Sequence, residues 1–195
     1  MEYIELNPRS INLRELGRAT DLLRGGKVII YPTDSHPALG CDALSATAIA
    51  ELCRIRGINP ERQTMAIVCA SLSQAATYAR IDNRAFAIMR ANLPGPFTFI
   101  LPPSPSLPKA FKGRKQVGIR IPGDPIARAL AEDLGGPLVS GSIGDADPWD
   151  FEHSVAAIVA DTEADPSAAR TSSAIVDLTD SANPVIVREG PQELQ

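Results

Sequence analysis

Short apolar runs alternate with longer amphipathic stretches along the whole chain, and this alternation restricts the fold to an α/β arrangement. Lys27-Val28-Ile29-Ile30-Tyr31 has the pattern of a buried strand. The stretch 11–24 predicts a helix, with Leu13, Leu16, Leu22 and Leu23 on one side, Ser10 or Asn12 before it, and Gly25-Gly26 closing it. Further helices are predicted over 45–56, 72–78, 84–92 and 124–134; in the last, Asp124 supplies a cap and Pro125 suits the first turn. Strands are expected over 65–69, 97–101, 116–121, 137–140, 174–178 and 185–188. The segment 149–160 reads as one more helix, and 32–40, 102–115 and 161–172 read as loops. No repeat or long linker divides the sequence, so a single domain over 1–195 is expected.

With 44% hydrophobic and 22% charged residues, the 195-residue chain has an ordinary globular composition, which excludes disordered and coiled-coil readings. No apolar run approaches the roughly 18 residues that span a bilayer. The opening Met1-Glu2-Tyr3-Ile4-Glu5-Leu6 lacks the basic head and apolar stretch of a secretory signal. A soluble cytoplasmic protein is expected. Cys41, Cys53 and Cys69 are read as reduced core thiols. With only His36 and His153 to accompany them, no metal held purely by protein is predicted. Charge is unevenly spread: residues 1–130 carry 17 basic against 10 acidic residues, and 131–195 carry 2 against 13. Such a split fits a basic anion-binding face, or surface charge that merely segregates along the chain.

Four places invite chemistry. Tyr31-Pro32-Thr33-Asp34-Ser35-His36-Pro37-Ala38-Leu39-Gly40 is a polar loop at a strand end, where α/β sheets gather ligands. Its side chains either orient a small polar substrate or bond only the local backbone, and His36 is expected to be an exposed loop histidine. Arg120 interrupts the apolar strand Gly118-Ile119-Arg120-Ile121, so it requires an anion, either a structural Asp or a ligand carboxylate or phosphate. Val139-Ser140-Gly141-Ser142-Ile143-Gly144 offers free amides and hydroxyls suited to phosphate, without the Gly-x-Ser-x-Gly spacing of a serine hydrolase. Arg188, one of two cations in the acidic third, either forms an ion pair or reads phosphate.

In this order the segments resemble the YrdC-like family, which includes the threonylcarbamoyl-AMP synthases of tRNA modification. The resemblance covers about 13–190. It rests on Tyr31-Pro32-Thr33-Asp34-Ser35, Pro94-Gly95-Pro96-Phe97-Thr98-Phe99-Ile100-Leu101, Val117-Gly118-Ile119-Arg120-Ile121-Pro122, Gly136-Pro137-Leu138-Val139-Ser140, and Ile175-Val176-Asp177-Leu178-Thr179 followed by Val187-Arg188-Glu189-Gly190. Cys53-Arg54-Ile55-Arg56, Ser35, Cys41 and the Arg-Glu-Gly ending look most like its YciO branch.

The resemblance implies a twisted, open mixed sheet flanked by helices, with a concave basic face. It also implies a reaction in which threonine, bicarbonate and ATP give threonylcarbamoyl-AMP and pyrophosphate. Mg²⁺ accompanies ATP as substrate, and no covalent nucleophile is needed, so no residue is assigned as catalytic. By resemblance Thr33, Ser35, Thr98, Arg120 and Ser173 bind threonine, and Arg56, Ser140, Ser142 and Arg188 approach the nucleotide. The resemblance also implies that the basic face binds double-stranded RNA or tRNA, and Lys109, Lys112, Arg114 and Lys115 are expected to join it. The sequence departs from the family pattern: Ile58 replaces an arginine, Gly144 an asparagine and Pro37 a tyrosine. Weakened synthesis with retained nucleotide and RNA binding is therefore expected, the alternatives being a fully active synthase and a non-catalytic RNA-binding module.

Overall fold

The computed structural model describes residues 1–195 apart from 60–64, 166 and 169. Ten strands form one mixed sheet: β1 (Glu2–Leu6), β2 (Ile29–Tyr31), β3 (Ala38–Asp42), β4 (Ala66–Val68), β5 (Phe97–Leu101), β6 (Val117–Arg120), β7 (Leu138–Ser142), β8 (Ala157–Asp161), β9 (Ala174–Asp177) and β10 (Val185–Arg188). Their spatial order is β1-β8-β2-β3-β7-β4-β6-β5-β9-β10. Strands β1 and β2 both pair with β8 in parallel, while β7 lies antiparallel between β3 and β4. The chain has the α/β fold that its alternation demands.

Among the described residues five α-helices cover the sheet, each opened by a side-chain cap: α1 (Leu13–Arg24) by Asn12, α2 (Ala46–Arg56) by Ser45, α3 (Leu72–Tyr78) by Ser71, α4 (Asn83–Asn92) by Asp82 and α5 (Pro125–Leu134) by Asp124. Such caps satisfy amides that the helix leaves unpaired, typically contributing about 1 kcal/mol each. Gly57 and Gly135 end α2 and α5 in the left-handed region, with φ of +69° and +66°. Helices α1 and α5 bury Leu16, Leu23, Ile126 and Leu130 against one face, together with Ile4, Leu6, Ile29 and Tyr31. The larger core, which includes Leu52, Phe97, Phe99, Phe111 and Ile119, fills the other. All three cysteines are buried and free, and burial pushes the thiols of Cys41 and Cys69 up to about 12. Among the described residues no helix is long and apolar enough to cross a membrane.

The structure corrects the sequence reading at several places. The segment 149–160 is not a helix: a 3₁₀ turn, Pro148–Phe151, precedes β8. Strand β8 sits between two parallel neighbours with Ala157 and Val159 in one core and Ile158 in the other. A strand covered on both faces loses the alternation that identifies strands, and its alanines imitate a helix. The first residues form β1, whose Ile4 and Leu6 point inward while Tyr3 and Glu5 are exposed. The end of the expected 32–40 loop belongs to β3, and a 3₁₀ turn, Lys109–Phe111, interrupts the expected loop over 102–115. His36 is buried rather than exposed.

Candidate functional site

Strand pairing builds the floor of a cleft. Ser140 is opposite Ala66, Ala66 opposite Gly118, and Gly118 opposite Ile100, so one row crosses β7, β4, β6 and β5. Two residues along, on the same face, stand Arg120 on β6 and Thr98 on β5. Ile175 pairs with Thr98 on one side and Arg188 on the other. Small residues keep this floor low: a Cβ at Gly118 would meet Thr98 Cγ2 at 3.3 Å. The cleft encloses about 310 Å³, and its rim carries Arg56 and Ile58 from the end of α2 with Ser142 from β7. That volume is at the lower end of the range for sites that hold a small organic ligand.

Arginines dominate its electrostatics. Arg56, Arg120 and Arg188 line the cleft, and no carboxylate does so among the described residues. Arg120 is 5% exposed; its Nη2 donates to Asp34 Oδ1 at 2.9 Å and to Ser35 Oγ at 3.2 Å. The anion that the sequence demands for Arg120 is thus provided by Asp34, whose other oxygen accepts from the Gly123 amide at 2.5 Å. Among the described residues the buried Arg120 Nε nevertheless has no partner. An unmet buried donor costs about 1–3 kcal/mol, which an acceptor on a ligand would recover. Arg188 Nε donates to the Ser173 carbonyl at 2.9 Å and its Nη2 to Ser173 Oγ at 3.4 Å, while Ser173 Oγ lies 3.4 Å from Thr98 Oγ1. Burial lowers the pKa of Arg188, and the charge of Arg120 lowers it further. Two guanidiniums that feel each other across an apolar-floored cleft make a place for an anion.

The structure brings together seven of the residues singled out in the sequence: Arg56, Thr98, Arg120, Ser140, Ser142, Ser173 and Arg188. Thr33 and Ser35 stand apart from the cleft itself. Thr33 Oγ1 donates to the His36 carbonyl at 2.8 Å and accepts from the Ser35 amide at 3.1 Å, so this hydroxyl closes the local turn, and Ser35 reaches the cleft only through Arg120. Among the described residues His36 Nδ1 has no hydrogen-bond partner, and it lies 3.6 Å from Asp145 Oδ1. Gly144 lies outside the cleft wall with φ of +63°, and its amide donates to Ser142 Oγ at 3.1 Å. Glycine and asparagine both reach the left-handed region, so this departure from the family preserves the backbone. Lys109, Lys112, Arg114 and Lys115 do not line the cleft; Arg114 lies over the Phe111 ring at 5.3 Å, on a turn packed against α2.

Met65, Ala66, Ile100, Gly118 and Ile175 also line the cleft and are not singled out by the sequence, whereas Gly141 belongs to the segment read as suited to phosphate. Period-two alternation from Thr98, Arg120 and Ser173 leads directly to Ile100, Gly118 and Ile175.

A family model for Sua5, YciO and YrdC proteins, described as "Telomere recombination", matches residues 21–190. The chain belongs to this family. It is 35% identical to the YciO protein of Escherichia coli strain K12 over 198 residues, covering 97% of this chain and 95% of that one. The E. coli YciO crystal structure superposes with a TM-score of 0.87 at 33% identity, covering 100% and 98% of the two chains. The threonylcarbamoyl-AMP synthase of Halorhodospira halophila is 38% identical over 122 residues, 62% of this chain and 63% of its own. The Sua5 of P. abyssi, crystallised with L-threonine, gives a TM-score of 0.85 at 26% identity; the match covers 97% of this chain but 58% of that longer protein.

Proposed function

We propose that the cleft binds threonine and ATP, or the threonylcarbamoyl-AMP that joins them, and that this chain forms the product slowly. The observation that carries the reading is three arginines lining a cleft to which no described residue adds a carboxylate, one of them with a buried Nε that no described residue pairs. In this reading Arg120 holds the threonine carboxylate beside Thr98 and Ser173, with Ser35 keeping the guanidinium in place and Thr33 shaping the turn behind it. Arg56, Ser140, Ser142 and Arg188 face the phosphates. A carbamate on the threonine nitrogen attacks the α-phosphorus, the bond to the β-phosphate breaks, and pyrophosphate leaves with its electron pair. The chain contributes positioning and charge neutralisation, with no covalent intermediate. Mg²⁺ travels with ATP as part of the substrate.

Slowness follows from Ile58. An alkyl side chain stands on the cleft wall where the family pattern has an arginine, and loss of one preorganised donor costs about 10²–10³ in rate. Pyrophosphate release with threonine, bicarbonate and MgATP tests the reading: release that requires all three, at a rate well below that of an active synthase, is expected. No release together with no MgATP binding overturns it. A second reading concerns the basic turn packed against α2, where Lys109, Lys112, Arg114 and Lys115 form a surface for the phosphates of an RNA duplex or tRNA.

A further inference from the structure

After β10 the chain turns back across the sheet. Gly190 lies directly on Ala174, the first residue of β9: a Cβ at Gly190 would sit 2.8 Å from Ala174 Cβ and 2.9 Å from its Cα, closer than side chains tolerate. The Ala174 amide in turn donates to the Pro96 carbonyl at 2.8 Å. Beyond Gly190, Leu194 packs on the larger core and Gln195 is gripped by Asn92, the last residue of α4. Asn92 Nδ2 donates to the Gln195 carbonyl and Asn92 Oδ1 accepts from the Gln195 amide, each at 3.0 Å, while Nδ2 also donates to the Ile88 carbonyl at 2.7 Å. Asn92 is 8% exposed. Residues 189–195 therefore form a strap, held by a glycine contact at one end and a two-point amide clasp at the other.

The strap begins where Arg188 ends. Among the described residues strand β10 has one neighbour, with a register shift between Ile186 and Arg188 and three exposed apolar residues in Val185, Ile186 and Val187. A four-residue edge strand of this kind frays readily, because few buried contacts oppose its opening. Yet Arg188 must stay fixed on Ser173 to hold its place in the cleft wall. We propose that Asn92 is a positioning residue: by clasping Gln195 it tightens the strap over Ala174, and the strap holds Arg188 and Ser173 in register for an anionic ligand. The inference rests on reading the cleft as an anion site, and it adds that control of this site extends to a residue of α4 that does not line the cleft.

Two measurements test it, MgATP titration and hydrogen exchange of the β9 and β10 amides, on wild type, Asn92→Leu, Gly190→Ala, Arg188→Ala and the Arg188→Ala/Asn92→Leu double variant. Small displacements of positioning groups cost large factors, so Asn92→Leu and Gly190→Ala are each expected to weaken MgATP binding roughly tenfold and to speed exchange in β10. In the Arg188→Ala background Asn92→Leu is expected to add nothing, a non-additivity that a merely structural role for Asn92 does not produce. Unchanged β10 exchange in both strap variants overturns the proposal, as does an undiminished effect of Asn92→Leu without Arg188. Should Asn92→Leu fail to fold, Gly190→Ala decides. If the wild type binds no MgATP, the ligand reading of the cleft falls, and β10 exchange alone judges the strap.

Discussion

Arg120 holds Asp34 at 2.9 Å across a side-chain pair only 6% and 15% exposed. Helix α5 begins just beyond, and the Gly123 amide before it donates to the second Asp34 oxygen, so the pair joins the loop after β2 to the end of β6. Because Asp34 already answers the guanidinium charge, Arg120 belongs to the scaffold, and in the reading proposed above it meets the ligand as well.

Replacing Arg120 with Met strands the Asp34 carboxylate. We expect a loss of about 3 kcal/mol in unfolding free energy, the lower end for breaking a buried pair, because Asp34 keeps its bond from Gly123. The Arg120→Met/Asp34→Asn double variant recovers most of that stability but not the stabilisation by MgATP with threonine. Urea midpoints with and without these ligands check both halves, and full retention of the ligand shift in Arg120→Met removes Arg120 from the binding site.

Ile58→Arg restores the missing charge to the cleft wall. Pyrophosphate release in the presence of threonine, bicarbonate and MgATP is expected to rise by about 10², with little change in unfolding midpoint, since Ile58 is only partly buried. An unchanged rate would place the block to synthesis elsewhere.

The RNA reading predicts salt dependence in place of sequence dependence. Affinity for a duplex should fall steeply with salt, and Lys112→Ala with Lys115→Ala should flatten the log–log slope by about two units, one per lost phosphate contact. A filter-binding series from low to moderate salt measures it; an unchanged slope removes this turn from the interface.

Asp124 caps α5 through the Ala127 amide at 2.8 Å, yet burial raises its pKa above the ordinary carboxylate value. A carboxyl whose folded pKa is raised binds its proton more tightly when folded, so its contribution is most favourable at low pH and is lost as pH rises through the folded value. Asn, which caps equally well without charge, should therefore stabilise the protein at pH 7, and the gain should vanish below the unfolded carboxyl value of about 3.9. Thermal melts of wild type and Asp124→Asn across pH 3–8 check the sign.

Much of this fold is legible because its signals are local. Asn12, Ser45 and Asp124 sit where caps belong, and Gly57 and Gly135 end their helices as backbone sterics require. Arg120 announced itself as a charge in an apolar strand. Its partner was not legible, since Asp34 lies 86 positions away in a loop that could equally have turned on itself. Strand β8 was lost for a related reason: burial on both faces is a property of its neighbours β1 and β2, not of its own residues. The Asn92 clasp joins residues 103 positions apart through ordinary amides, which carry no pattern at all.

The strand order also has a consequence for how such a chain assembles during synthesis. Strands β1 and β2 flank a slot that only β8 fills, and β3 and β4 flank one that only β7 fills. Both fillers come from the acidic last third, so a nascent chain that has emerged only as far as residue 130 has its early strands ready and no means of closing the sheet. Pairings so distant in sequence fold slowly. The basic portion therefore waits, incomplete, for the acidic portion, whose β7 and β8 enter it as two wedges while β9 and β10 add at the β5 edge. Separately expressed fragments, 1–130 and 131–195, should each remain unfolded and become structured only when mixed.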